Sequence, residues 1–208
     1  MNLISNNCAG GYFYRDVLRS EYPNPFIWTQ IAPRDFISLI EKFDLINFSN
    51  YELIPLHKTI LEKEFNDFGN HPWLKMHPIG LNIDSTFKLW FPHILYKESA
   101  IKPEIVNTDI YSRRNFELVV KTYLSRLRRM KDDPVFLILN YSWFGWNCDM
   151  INKIVDLSEK VRYRILILTK NPIQYPKSSI VIYDKNLNDH PRLAIKDNEE
   201  KILTEICK

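Results

Sequence analysis

The chain has 208 residues, 45% hydrophobic and 25% charged, the balance of an ordinary soluble globular protein. Only five are glycines, where average usage gives roughly fifteen; this excludes collagen-like repeats and Gly/Ser linkers, and neither a P-loop nor a G-x-G-x-x-G fingerprint occurs. The net charge of +3 is uneven: residues 1–104 hold 10 basic and 12 acidic side chains, and residues 105–208 hold 18 and 13.

Residues 2–5 (NLIS) read as a short buried strand, followed by the loop Asn6-Asn7-Cys8-Ala9-Gly10-Gly11 and a helix over 12–20. Residues 26–31 (FIWTQI) read as a second strand, set off by Pro23 and Pro25. Pro33 suits the first position of a helix, and Phe36, Leu39, Ile40 and Phe43 follow at helical spacing. Prolines punctuate 48–104, an irregular excursion with strands expected at 79–83 and 86–91 as a hairpin around Asp84-Ser85.

The second half is more regular. A helix over 112–130 carries Phe116, Val119, Val120, Tyr123, Leu124, Leu127 and Met130 on one stripe. Pro134 ends it, and 135–140 (VFLILN) is apolar enough for a strand buried on both faces. A loop over 141–147 then leads to a helix at 148–159, strands at 163–169 and 179–183, and a helix at 198–206. Apolar strands alternating with amphipathic helices predict one α/β domain, layered around a mainly parallel sheet, with the irregular strand-containing middle segment.

No apolar run approaches the roughly 18 residues of a membrane span, and MNLISNNC lacks the features of a signal peptide. Three cysteines without a C-x-x-C suit a reducing compartment, so a cytoplasmic location is expected. No H-E-x-x-H and no Cys/His zinc set occurs, so no metal is expected.

Ligands of parallel α/β sheets gather at the carboxyl ends of the strands. Two loops there are prominent: Asn6 to Gly11, and the stretch from Asn140 to Cys148 containing Trp143, Gly145 and Trp146. In the first, Gly10 and Gly11 allow a sharp turn into a helix N-terminus, whose free N–H groups suit an anion. The same dipole would lower the pKa of Cys8 and make it a nucleophile; the alternative is a small buried hydrophobe. Asn6 and Asn7 either cap the helix or donate to an oxyanion. His93, at the end of a predicted strand, is the candidate general base for Cys8. Arg113, Arg114 and Arg128-Arg129 match a phosphate or nucleotide, or form a solvated helix face. Trp143 and Trp146 form a sugar-stacking platform, or pack in the core. The basic helix shows no aromatic stacking row, so nucleic acid is not an expected partner.

The opening Ile4-Ser5-Asn6-Asn7-Cys8-Ala9-Gly10-Gly11-Tyr12-Phe13-Tyr14-Arg15 resembles the start of a bacterial family, domain of unknown function 1919, whose members are often labelled exopolysaccharide or capsule biosynthesis proteins. Tyr22-Pro23-Asn24-Pro25-Phe26-Ile27, Asp35-Phe36-Ile37, Pro78-Ile79-Gly80, Phe91-Pro92-His93 and Tyr111-Ser112-Arg113-Arg114-Asn115 extend the likeness. The chain departs from the pattern at Ala9, where the family has tryptophan, and at Ile94 after His93, where it has tyrosine. The resemblance implies surface-polysaccharide assembly. It supplies no reaction; the leading expectation from the residues is acyl transfer to a sugar hydroxyl by Cys8 and His93. Asn6, Asn7, Gly10 and Gly11 would stabilise the oxyanion, and Arg15, Arg113 and Arg114 would hold the phosphates of coenzyme A or a sugar nucleotide. Asn140, Trp143 and Trp146 would contact the glycan. The alternatives are a non-catalytic glycan- or sugar-nucleotide-binding protein of the same machinery, and a glycosyltransferase.

Overall fold

The computed structural model describes residues 2–54, 79–91, 108–130, 133–140, 146–170 and 181–207, with backbone alone for 79 and 108–116. Strand β1 (Asn2–Ser5) leads into α1 (Ala9–Tyr12), which continues as a π-helical stretch, Phe13–Leu18. Helix α2 (Pro33–Lys42) begins on its proline and passes into a 3-10 turn, Phe43–Leu45. Strands β2 (Tyr51–Ile54), β3 (Ile79–Ile83) and β4 (Phe87–Phe91) follow, then α3 (Thr108–Leu127) and β5 (Pro134–Asn140). The chain continues through α4 (Cys148–Ser158), β6 (Arg164–Thr169), β7 (Val181–Tyr183), α5 (Pro191–Asp197) and α6 (Glu199–Cys207).

Two sheets result. Strands β1, β5, β6 and β7 pair in that order, all parallel, with Ile4 opposite Phe136 and Ile138 opposite Ile167. Strands β2, β3 and β4 form an antiparallel sheet in sequence order. The protein is therefore mixed α/β around a mainly parallel sheet. Central strands β5 and β6 are buried almost end to end, as their unbroken apolar runs require. Phe36 and Phe43 connect α2 and its following turn to the sheet, with ring centroids 5.8 and 5.6 Å from Phe136.

The β3–β4 hairpin turns on Asp84 and Ser85, both at positive φ (49° and 53°), as a tight two-residue turn matched to strand twist requires. Gly80 faces Trp90 across the hairpin; a Cβ there would meet the indole at 2.6 Å, so an aromatic ring covers the glycine.

Strand β1 has β5 on one side only. Its outer edge is closed by side chains, because the N–H and C=O of Leu3 both point away from β5. Leu3 N–H donates to the Tyr14 hydroxyl at 2.7 Å, and Leu3 C=O accepts from Asn24 Nδ2 at 3.0 Å. These bonds satisfy buried backbone groups at an otherwise open edge.

Two expectations are corrected. Residues 26–31 are not a strand: Asn24 Oδ1 accepts from Phe26 N–H at 3.0 Å, and a turn runs to Trp28 at φ 61°. Turn chemistry at Asn24-Pro25 overrides the apolar pattern, and only Gln30 bridges Trp90, through a reciprocal pair of backbone bonds. Gly10 and Gly11 lie inside α1 and make no sharp turn. They are required by close packing: a Cβ on Gly10 would lie 2.9 Å from Ser5 Oγ, and one on Gly11 would lie 2.5 Å from the Trp28 ring. The helix expected at 198–206 is α6; a further helix that was not expected, α5, precedes it, and the two are separated at buried Asn198, whose amide donates to Asp184 at 2.8 Å. Strand β2 was not expected within the irregular excursion.

Candidate functional site

The carboxyl end of β1 leads into Asn6, Asn7 and Cys8, which are buried. Each asparagine is fixed by its carbonyl oxygen. Asn6 Oδ1 accepts from Leu139 N–H at 3.3 Å, extending the β1–β5 pairing one step beyond the last backbone pair. Asn7 Oδ1 accepts from Ala9 N–H at 2.8 Å, an Asx turn that starts α1. Ser5 Oγ donates to Asn7 C=O at 2.5 Å and accepts from Gly10 N–H at 2.8 Å, locking the turn. The oxygen assignments follow from these backbone donors, so the amide nitrogens are fixed too. Among the described residues, Asn6 Nδ2 and Asn7 Nδ2 are both buried without a hydrogen-bond partner.

Gln30 reaches the same loop. The backbone around it is held by Ile31 N–H donating to Asn6 C=O at 3.0 Å, and its amide Nε2 donates to Cys8 Sγ at 3.4 Å. Gln30 Oε1 is the third buried polar atom here without a partner. Trp146 lies beyond β5 and packs edge-on against Phe36 of α2, with centroids 6.4 Å apart; its indole N–H is also buried and unpartnered. Three donors and one acceptor are thus left open, and buried polar groups ordinarily find a partner in protein, water or ligand.

Cys8 precedes α1 and is 4% exposed. Burial pushes its thiol up from 9.0 to about 12, outweighing the hydrogen bond from Gln30. Against the dipole effect expected from the spacing, desolvation raises the thiol, and α1 has only four residues before its geometry changes. Tyr12, one turn on, is partly buried, and burial raises its phenol with a smaller contribution from Cys8.

At the neighbouring strand ends, Asn140 Nδ2 donates to Thr169 Oγ1 at 3.1 Å, and Lys170 pairs with Asp189 at 2.6 Å. Arg15 is engaged with Asp16 at 2.6 Å, and Arg192 reaches the same carboxylate at 2.9 Å. Arg15 first, and Arg192 with it, hold the Asp16 carboxyl down at about 2, opposed by partial desolvation.

The structure brings together Asn6, Asn7, Cys8, Gly10 and Gly11, with Arg15 on the turn beyond. It places Asn140 and Trp146 at the neighbouring β5 end. Arg113 and Arg114 lie on α3, their side chains outside the described residues, as are His93, Trp143 and Gly145 entirely. The sequence reading missed Gln30, which lay in the expected strand, and Trp28 and Arg192. Asn24-Pro25 was the one local signal that a turn would carry Gln30 to Cys8.

Among the described residues, no group of His, Cys, Asp or Glu is arranged to hold a metal, and no helix is long and apolar enough to cross a membrane. A comparison with curated proteins found no match. The model of one family, described as Domain of unknown function (DUF1919), matches residues 1–103, the stretch that contains β1 through β4, Cys8 and Gln30, and this part of the chain belongs to that family.

Proposed function

We propose that this protein serves surface-polysaccharide biosynthesis in the cytoplasm by binding a glycan or sugar nucleotide at the carboxyl edge of its parallel sheet. The observation that carries this reading is the pair of buried asparagine amides, each fixed through its oxygen and each left with a nitrogen that has no acceptor among the described residues. An unmet buried donor costs about 1–3 kcal/mol, which a bound acceptor recovers. Sugar hydroxyl oxygens are such acceptors, and a hydroxyl proton suits Gln30 Oε1. A thiol that stays protonated at neutral pH favours binding over thiolate chemistry.

The test is calorimetric titration of nucleoside-diphosphate sugars and free glycans into wild type and Asn7→Asp. That substitution keeps the oxygen that accepts from Ala9 N–H and replaces the amide donor with an ionisable oxygen. A loss of about tenfold or more in affinity is expected, equivalent to about 1.4 kcal/mol. Equal affinity in folded Asn7→Asp, or no binding by wild type, refutes the reading.

A second reading, acyl transfer, draws on the Gln30 amide that donates to Cys8 Sγ, since such a bond favours the thiolate. Cys8 sulfur would attack an acyl-coenzyme A carbonyl, releasing the coenzyme as its thiol. A sugar hydroxyl would then attack the enzyme thioester and regenerate the cysteine, with His93 as the base. Acyl transfer abolished in Cys8→Ser supports it; equal transfer removes Cys8 from the reaction.

A further inference from the structure

Arg15 and Arg192 come from distant parts of the chain and meet on one carboxylate. Asp16 Oδ1 accepts from Arg15 Nε at 2.6 Å, and Oδ2 accepts both from Arg15 Nη2 at 2.9 Å and from Arg192 Nε at 2.9 Å. One shared oxygen sets the two guanidiniums side by side. A guanidinium has five N–H donors; Asp16 takes two from Arg15 and one from Arg192, and the side chains are 43% and 57% exposed. Two positive charges against one negative leave the cluster cationic.

Its aromatic floor is specific. The Arg15 guanidinium carbon lies 5.0 Å from the Tyr12 ring centroid and 5.2 Å from that of Trp28. Those two rings meet edge-on at 4.9 Å, and His190, whose side chain caps α5, lies 5.8 Å from Tyr12. Trp28 is held at φ 61°, a conformation side-chain-bearing residues rarely adopt, with its ring against Gly11. Arg126 fixes the preceding residue by donating to Ile27 C=O at 2.6 Å. The other acid nearby in sequence, Asp189, is engaged by Lys170.

We propose that Arg15 and Arg192, braced by Asp16 and backed by Tyr12 and Trp28, bind a diphosphate group. Forked donors side by side match its oxygens, and arginine supplies both charge and direction. For the ligand's identity as a nucleoside-diphosphate sugar, the assignment rests on the function proposed above; for the anion it rests on the arginine geometry alone. Tyr12 N–H donates to Cys8 C=O at 3.1 Å, so one helical turn, about 5.4 Å of rise, links the arginine cluster to the amide loop.

The probe is inorganic pyrophosphate, titrated by calorimetry at low and physiological salt, followed by a nucleoside-diphosphate sugar. Wild type should bind pyrophosphate, with affinity falling as salt rises. Arg192→Gln and the double variant Arg15→Gln/Arg192→Gln should each lose about tenfold or more, while Arg162→Gln, an exposed arginine paired elsewhere with Asp44, should not. Circular dichroism confirms folding, and Arg15→Lys, which keeps the charge without the fork, replaces the double variant if that fails to fold. Unchanged pyrophosphate affinity in a folded arginine variant, or no binding by wild type, overturns the site. Arginine-dependent binding of pyrophosphate without binding of any sugar nucleotide sustains the anion site and refutes the sugar-nucleotide reading.

Discussion

Thiol–disulfide exchange offers a direct measure of Cys8, because two opposing effects can be weighed beforehand. Raising a thiol from 9.0 to about 12 cuts its thiolate fraction at neutral pH about a thousandfold. A more basic thiolate is also a better nucleophile: with a Brønsted coefficient of about 0.45, the same rise returns a factor of roughly twenty. The net is a rate about fiftyfold below that of an ordinary thiol, before the barrier of reaching a side chain that is 4% exposed. Cys148 and Cys207 are exposed and serve as internal references. A Cys148→Ser/Cys207→Ser variant leaves Cys8 alone, so reaction with a small aromatic disulfide can be followed by absorbance in the folded and denaturant-unfolded protein. The folded rate should be at least about fiftyfold lower than the unfolded one. A folded rate within about threefold, or a rate–pH midpoint below 9.0, would refute the argument. The same shift gives a pH dependence of stability. Below pH 9.0 the thiol is protonated in both states and its contribution is complete; as pH rises, the unfolded thiol ionises first, and stability falls until about pH 12.

Two further outcomes test the packing around the site. Tyr14→Phe removes the acceptor of Leu3 N–H and should lower unfolding free energy by about 1–3 kcal/mol in urea titration; unchanged stability would mean that the β1 edge is closed in another way. Gly11→Ala gains about 1 kcal/mol in helix propensity but places a Cβ 2.5 Å from the Trp28 ring, and overpacking of that kind costs about 1–3 kcal/mol. A net loss of up to about 2 kcal/mol with altered near-ultraviolet dichroism is expected, and a stabilised variant would contradict the packing.

What the sequence disclosed depended on whether the decisive interaction was local. The run VFLILN before Asn140 and the RILILT run of β6 announce buried parallel strands by composition alone, and Pro33 marks a helix start by its fixed φ. Asp84-Ser85 marks the hairpin because its neighbours on both sides are apolar and alternate. Asn6, Asn7 and Cys8 could be grouped because they are contiguous. Gln30 could not, since its place beside Cys8 depends on a turn at Asn24-Pro25 and on a bridge to Trp90. Nor could Arg192, which shares a carboxylate with a residue 176 positions away. The burial of Cys8 was hidden for the same reason: a dipole is visible from local spacing, whereas desolvation depends on everything packed around the sulfur.

Among the described residues, strand β1 finds its backbone partner only in β5, with Asn2 opposite Pro134. The opening residues therefore emerge from the ribosome long before the strand that completes their hydrogen bonding. Parallel pairing across so long an interval brings a large loop-closure entropy into the folding barrier and slows folding. The bonds from Tyr14 and Asn24 to Leu3 span only short stretches of chain, so they can close one edge of the nascent strand early. Newly made chains are then most vulnerable on the other edge, the one awaiting β5, and a fragment ending before Pro134 would carry that exposed edge permanently.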